Sequence, residues 1–107
     1  MDAIFARLGV TDQQIGAFCR KWDIVRFELF GSVLRDDFGP ESDVDVLVTF
    51  APDARIGLFA LVRMQDELSD LLGRGVDLVE REAVEESSNW IRRKAILSST
   101  RLVYAAA

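Results

Sequence analysis

The stretch FGSVLRDDFGPESDVDVLVTF, residues 30–50, decides the fold of this chain and raises a question about charge. A glycine–serine pair, Gly31-Ser32, stands near its start, and two aspartates, Asp43 and Asp45, lead into a valine-rich run that predicts a buried strand. A carboxylate removed from water is costly unless a cation meets it. The function of the chain therefore depends on which cation meets the carboxylates of Asp43 and Asp45.

The valine-rich run predicts a strand with two chemically different faces. Side chains two residues apart in a strand point to the same face, so Asp43, Asp45 and Leu47 share one face. The valines between them lie on the opposite face, which we expect to pack against helices. The three valines are Val44, Val46 and Val48.

A third acidic residue, Asp77 in the segment GVDLVE, occupies a similar setting in another short apolar run. If its strand lies beside the strand of Asp45, three carboxylates converge, because neighbouring strands lie ~5 Å apart. Three anions at one place repel each other, and divalent cations relieve that repulsion. Hard oxygen ligands favour Mg²⁺ or Mn²⁺. Two such ions ~3.5–4 Å apart can hold the attacking and leaving oxygens of a nucleotidyl transfer.

The pair Gly31-Ser32 predicts a phosphate-binding turn between a strand and a short helix. Glycine lets a phosphate approach the backbone closely, and free N–H groups at a helix N-terminus attract anions. The Ser32 hydroxyl can add a hydrogen bond to a phosphate oxygen. Arg35 is a further candidate for a phosphate contact, although an ion pair with Asp36 or Asp37 explains it equally well.

The whole chain predicts alternating helices and strands. A capping box formed by Thr11 and Gln14 begins the first predicted helix. An apolar stripe marks a longer helix in the middle of the chain, and we expect Gly73 and Gly75 to end it. The predicted elements are helix 11–22, strand 25–30, short helix 33–37, loop 38–42, strand 44–50, helix 58–72, strand 76–79, helix 89–97 and edge strand 102–104. This order predicts one α/β or α+β domain over residues 1–107, a small mixed sheet with helices packed on it.

Composition narrows the function classes. The 107 residues carry a formal net charge of -5, one cysteine (Cys19) and no histidine. The acidity argues against direct binding to a nucleic-acid backbone, but a metal ion can still bring a nucleotide to an acidic site. Acid–base or metal chemistry must rest on Asp and Glu. With no signal peptide and no apolar run of ~20 residues, we expect a cytoplasmic protein without a membrane association.

The joint pattern is more specific than any of its parts. Gly31-Ser32, ten intervening residues and Asp43-Val44-Asp45 resemble the signature of the nucleotidyltransferase superfamily that includes DNA polymerase beta. The chain is most similar to the minimal nucleotidyltransferases, and the resemblance covers nearly its whole length. It departs at Asp36, where these proteins often have glycine, and this aspartate adds negative charge near the phosphate path.

The resemblance implies a nucleotidyltransferase fold and a role for each site residue. Asp43 and Asp45 would hold two Mg²⁺ ions, and Asp77 would bind the catalytic ion and help to deprotonate the attacking hydroxyl. Gly31 and Ser32 would hold the β- and γ-phosphates of ATP.

The resemblance also implies a partner and an activity. Minimal nucleotidyltransferases of this size are commonly antitoxins of a HEPN-type ribonuclease toxin, and the implied reaction transfers AMP from ATP to a tyrosine of that toxin. Two alternatives stay open: an antitoxin that neutralises its partner by contact without catalysis, and nucleotidyl transfer to a small molecule. A domain whose carboxylates bind a structural ion is a third interpretation, but it leaves Gly31-Ser32 unexplained.

Overall fold

The computed structural model describes residues 3–106, which form one four-stranded mixed sheet with helices packed on it. The elements in chain order are α1 (Ala3–Leu8), α2 (Asp12–Lys21), β1 (Ile24–Phe30), a 3-10 turn (Gly31–Leu34), β2 (Val44–Phe50), α3 (Leu58–Leu72), β3 (Val76–Glu80), α4 (Arg81–Glu85), α5 (Trp90–Leu97) and β4 (Arg101–Ala105). The strands lie in the order β3-β2-β1-β4. Strand β1 is antiparallel to β2 and β4, and β2 is parallel to β3. The predicted fold class is confirmed.

The two predicted helix boundary signals are present. Thr11 Oγ1 accepts a hydrogen bond from the Gln14 N–H at 3.1 Å, and Gln14 Oε1 accepts one from the Thr11 N–H at 2.9 Å. Helix α3 ends at Gly73, whose φ of 68° lies in the left-handed region that favours glycine. No helix within residues 3–106 combines the length and apolar character needed to cross a membrane.

Three short segments differ from the sequence prediction. Helices α1 and α4 were not predicted, because runs of six and five residues carry too little periodicity to be recognised. The predicted helix over residues 33–37 is wrong: a 3-10 turn spans Gly31–Leu34, and the backbone is extended at Arg35. The Arg7 guanidinium donates to the carbonyl oxygens of Val33 and Arg35, both at 2.8 Å. The two carbonyls therefore bond to a side chain and not to the backbone of a helix.

The sheet is covered on both faces. The valines Val44, Val46 and Val48 are fully buried in the larger core with residues of α1, α2 and α3, as predicted. Leu47, on the aspartate face, is also fully buried, in a smaller core with Phe30, Val84 of α4 and Ile96 of α5. Helices α4 and α5 therefore cover the part of the sheet that adjoins the aspartates.

Candidate active site

The three predicted aspartates meet at one end of the sheet. Asp45 of β2 is the register partner of Asp77 in β3, which confirms that the two strands are neighbours. Asp43 precedes β2 by one residue, and Asp45 pairs on its other side with Phe30, the last residue of β1. The chain continues from Phe30 into Gly31-Ser32, so the sheet register brings the glycine–serine pair next to the carboxylates.

Asp45 is the half-buried member of the aspartate group, whereas Asp43 and Asp77 are exposed. Burial is the largest cause that raises the pKa of Asp45 above its usual value, followed by the negative charges of Asp77 and Asp43, while Arg35 opposes the shift. Within residues 3–106, no ion pair of 4.0 Å or less joins these three aspartates to a lysine or arginine. The fold thus gathers negative charge here without supplying the cation that would neutralise it.

The donor set fits a hard divalent cation, although the side chains do not surround one. Among the described residues, no three acidic, cysteine or histidine side chains are arranged as a ready metal-binding group. Carboxylate oxygens are the ligands that Mg²⁺ and Mn²⁺ prefer. Burial, and then repulsion by Asp77 and Asp43, raise the pKa of Asp45, and such an ion would remove the repulsion. Asp43, Asp45 and Asp77 are therefore the residues that could hold it.

Two glycines make room for two of the carboxylates. Gly31 has a φ of 73°, and a Cβ added there would collide with the Asp45 carboxylate, whose Cγ would lie 3.1 Å away. A Cβ at Gly75 would collide with the Asp43 carboxylate, with Cγ at 3.0 Å. Sequence reasoning assigned Gly75 only to the end of a helix. Its position two residues before Asp77 was the feature of the sequence that could have indicated a place in the site.

A cavity of about 480 Å³ opens beside Asp45 and lies within the size range of small-molecule sites. Its lining residues are Phe30, Gly31, Ser32, Leu34, Arg35, Asp45, Ala95, Ile96 and Ser99. The cavity thus contains all three predicted phosphate-binding residues and one predicted metal ligand. Asp43 and Asp77 lie outside its lining. A cleft of about 530 Å³ between α2 and α3 is larger but contains no predicted site residue.

Ser32 and Arg35 each have a partner within the loop region. The Ser32 hydroxyl donates to the Asp43 carbonyl oxygen at 3.4 Å, and Arg35 Nε donates to Asp37 Oδ1 at 3.3 Å. The ion pair between Arg35 and Asp37 matches one of the two interpretations that the sequence allowed, and Arg35 also lines the cavity. Asp36 is exposed in the same turn and does not line the cavity.

Two arginines that sequence reasoning did not single out hold the segment between Ser32 and Asp43. The Arg7 guanidinium bonds the start of the segment, as described above. Arg74 Nη1 donates to the carbonyls of Gly39 and Ser42 at 3.0 and 3.1 Å, and its guanidinium lies over the Phe38 ring. These contacts hold the ten residues that separate Gly31-Ser32 from Asp43. Each arginine lies too far along the chain from the carbonyls it bonds for the pairing to be visible as a sequence pattern.

Comparison with known proteins identifies the family of this chain. The model of the nucleotidyltransferase domain family matches residues 11–103. The chain belongs to this family. It resembles the minimal members of the family in size and in the spacing of its motif.

Relatives in sequence come from Methanocaldococcus jannaschii. Two candidate protein adenylyltransferases of that organism are 37% and 33% identical to this chain over 67 and 64 residues. The matches cover 61% and 60% of this chain and 64% and 63% of the relatives, so the chain matches less than two thirds of either relative's length.

Solved structures share the fold. A protein described as a minimal nucleotidyltransferase has 28% identity and a TM-score of 0.66, with 94% of this chain and 95% of that chain covered. A toxin–antitoxin structure with AMP-PNP gives a TM-score of 0.69 at 18% identity, covering 91% of this chain and 75% of that chain. A tri-AMPylated HEPN toxin of Shewanella oneidensis in complex with its MNT antitoxin gives 0.61 at 18%, covering 89% and 70%. At 18% identity the likeness supports the fold alone.

Proposed function

We propose that this nucleotidyltransferase transfers AMP from ATP to a protein hydroxyl, a tyrosine of a HEPN-type toxin, and so acts as an antitoxin. The observation that carries the proposal is the register of β1, β2 and β3. It sets Asp45 between Asp77 and the Phe30-Gly31 step, at the edge of the cavity that Ser32 and Arg35 line. Phosphate-binding groups and uncompensated carboxylates are thus adjacent, as nucleotidyl transfer requires.

Each site residue has a part in this reaction. Asp43, Asp45 and Asp77 would hold two Mg²⁺ ions, or Mn²⁺, which when bound supply positive charge to the phosphates and the departing pyrophosphate. Gly31 and Ser32 bind the β- and γ-phosphates, with the Ser32 hydroxyl as a donor. Arg35 adds positive charge at the same end of the cavity.

Transfer of AMP to the tyrosine forms one bond to the α-phosphorus and breaks another. Asp77 helps to take the proton from the tyrosine hydroxyl, whose oxygen then attacks the α-phosphorus. The bond between the α-phosphorus and its bridging oxygen breaks, and pyrophosphate leaves. The product is a tyrosine that carries AMP through a phosphodiester bond.

The choice of nucleotide and acceptor rests on similarity to other proteins. Two relatives bear names that describe protein adenylyltransferases, and fold neighbours were solved with AMP-PNP and with an AMPylated HEPN toxin. We further propose that residues 1–107 act as one domain in the cytoplasm.

The test is a labelling experiment with the full chain, the HEPN-type protein encoded beside its gene, Mg²⁺ and ATP labelled at the α-phosphate. Label should enter the partner with α-labelled ATP and not with γ-labelled ATP, and EDTA should prevent it. We expect Asp45→Asn to reduce the rate by about a thousandfold, a loss typical of removing a main electrostatic contact. Asp53→Asn, a change of the same chemistry at an exposed turn, should label normally. Undiminished labelling by Asp45→Asn would refute the proposal.

Neutralisation by contact is a second candidate, favoured by two exposed apolar side chains on α5. Trp90 and Ile91 are 61% and 65% exposed, and large apolar side chains of this kind anchor protein interfaces. If Asp45→Asn still protects cells from the toxin, neutralisation proceeds by contact. If it binds the toxin but no longer protects cells, catalysis is required. Label that appears only in low-molecular-mass products would instead identify a small-molecule acceptor.

A further inference from the structure

We infer that the C-terminal end of α5 and the segment just after it form the wall of the cavity that binds the nucleoside part of the nucleotide, with Ala95 and Ser99 as its contact residues. This inference rests on the proposed function, because it concerns the same cavity. The nucleoside end of the bound nucleotide would then contact a part of the chain that contains none of the sequence motifs.

The cavity has two chemically different sides. Both charged groups of the lining, the Arg35 guanidinium and the Asp45 carboxylate, lie on the loop side with the Ser32 hydroxyl, and these groups suit phosphates and their cations. The apolar side chains of Phe30 and Leu34 stand beside them. The α5 side carries Ala95, Ile96 and Ser99, two aliphatic groups and one hydroxyl.

A nucleotide has the same division. Its phosphates are fully charged, whereas the base and sugar combine apolar faces with hydrogen-bonding edges. Sites for such ligands are mainly apolar, with a few polar groups that set the orientation. The α5 side therefore matches the nucleoside, and the loop side matches the phosphates.

The wall is held in place by the fold. Ile96 is 7% exposed and packs in the smaller core with Phe30 and Leu47. Ser99 lies next to Thr100, whose hydroxyl donates to the buried Glu28 carboxylate at 3.3 Å. Ala95 lies in the last turn of α5 and Ser99 lies two residues beyond the helix, and both line the same cavity. The contact residues are thus presented by an anchored segment.

Ala95 is also the position at which the available space is easiest to change. It is exposed to the cavity and does not belong to either core. A larger side chain there would occupy cavity volume and leave the packing of the sheet intact. Nucleoside binding can therefore be reduced while the phosphate end is unaltered.

The experiment compares two probes by titration calorimetry in Mg²⁺: ATP, which has the nucleoside, and inorganic tripolyphosphate, which lacks it. Ala95→Phe should weaken ATP binding at least about tenfold and leave tripolyphosphate binding unchanged. Ser99→Ala should weaken ATP binding about fivefold, the effect of losing one ordinary hydrogen bond. Ala6→Phe, at an exposed position of α1, is the matched control and should bind both probes normally.

The outcomes separate this inference from the proposed function. If the wild-type chain does not bind ATP, the proposed function fails and the inference fails with it. If the wild type binds ATP and both α5 variants bind it equally well, the inference alone is wrong. An equal loss of ATP and tripolyphosphate affinity in the variants would also overturn it, because α5 would then affect the phosphate end. If Ala95→Phe fails to fold, Ser99→Ala decides the outcome.

Discussion

Two groups of carboxylates lie on the same face of the sheet, and the fold treats them in opposite ways. Glu28 of β1 is 3% exposed and accepts hydrogen bonds from Arg81 at 2.7 Å, Thr100 at 3.3 Å and Arg26 at 3.4 Å. The aspartate cluster (Asp43, Asp45 and Asp77) has no ion pair to a basic side chain among residues 3–106. Glu28 pairs with Leu47, only two residues along β2 from Asp45.

The difference indicates a structural role for Glu28 and a functional role for the aspartate cluster. A buried carboxylate is tolerated when its charge and hydrogen bonds are satisfied, and Glu28 meets that condition entirely within the protein. Its partners come from β1, from α4 and from the segment before β4, so it joins the elements around the smaller core. In the aspartate cluster Asp43 and Asp77 are exposed and Asp45 is half-buried, so water and dissolved cations, not basic side chains, meet the charge. A partly buried carboxylate beside two others is typical of a site that binds a cation with its substrate.

Arg81→Met tests the satisfied side of this comparison and should have the largest effect on stability. Removing the cation leaves Glu28 buried with only Arg26 and Thr100, and we expect a loss of about 2–3 kcal/mol because Arg81 itself is partly exposed. The measurement is the free energy of unfolding in urea.

Two further variants serve as controls for Arg81→Met. Arg63→Met on the exposed face of α3 should cost less than about 0.5 kcal/mol. The double variant Glu28→Leu/Arg81→Met should recover part of the loss, because no buried charge remains unpaired. Equal losses for Arg81→Met and Arg63→Met would show that the Glu28 ion pair contributes nothing.

Gly31→Ala should have the next largest effect, because it drives a methyl group into the Asp45 carboxylate. Gly9 is a matched control: its φ is 72° against 73° for Gly31, and a Cβ there would meet nothing within 4 Å. Backbone strain alone predicts a loss of about 1 kcal/mol for Gly9→Ala, and the added collision should bring Gly31→Ala to about 2 kcal/mol. Thermal unfolding of both variants measures the difference. Equal losses of stability in the two variants would mean that the Asp45 side chain moves aside at little cost, and would contradict its close packing on Gly31.

Asp45→Asn should have the smallest effect and the opposite sign, since it removes a repelled charge. Asp45 is only half-buried, so solvent screening limits the gain in EDTA at pH 7 to at most about 1 kcal/mol. Its pKa is raised in the folded chain, so its ionisation costs stability as the pH rises through that value. The gain should therefore be present at neutral pH and vanish below the ordinary value of 3.8.

Thermal unfolding at pH 7 and at pH 3.5, with Asp53→Asn as control, measures this gain. Added Mg²⁺ should then stabilise the wild type more than Asp45→Asn, because only the wild type retains the full set of carboxylates. A variant that is less stable than the wild type in EDTA would show that the Asp45 charge is already satisfied by the protein.

The parts of this fold that could be predicted are those specified by local pattern. The cap at Thr11, the stripe of α3 and the alternation of β2 each arise within a few residues, so their periodicity is visible in the sequence. The missed features have distant causes. Glu28 lies in the same apolar context as Asp45, but its partners Arg81 and Thr100 are 53 and 72 residues away.

By itself, the sequence determined which residue types could do chemistry, how far apart Gly31-Ser32 and Asp43-Asp45 stand, and which face of β2 carries the charges. Alternation within one strand is a local property of the backbone, so no partner is needed to predict it. Only the tertiary structure decided that Asp77 pairs with Asp45 and that α5 closes the cavity. It also decided that, within residues 3–106, basic side chains pair with Glu28 and none pairs with the aspartate cluster. Those outcomes depend on strand order and register, which set the distances between segments far apart in the chain.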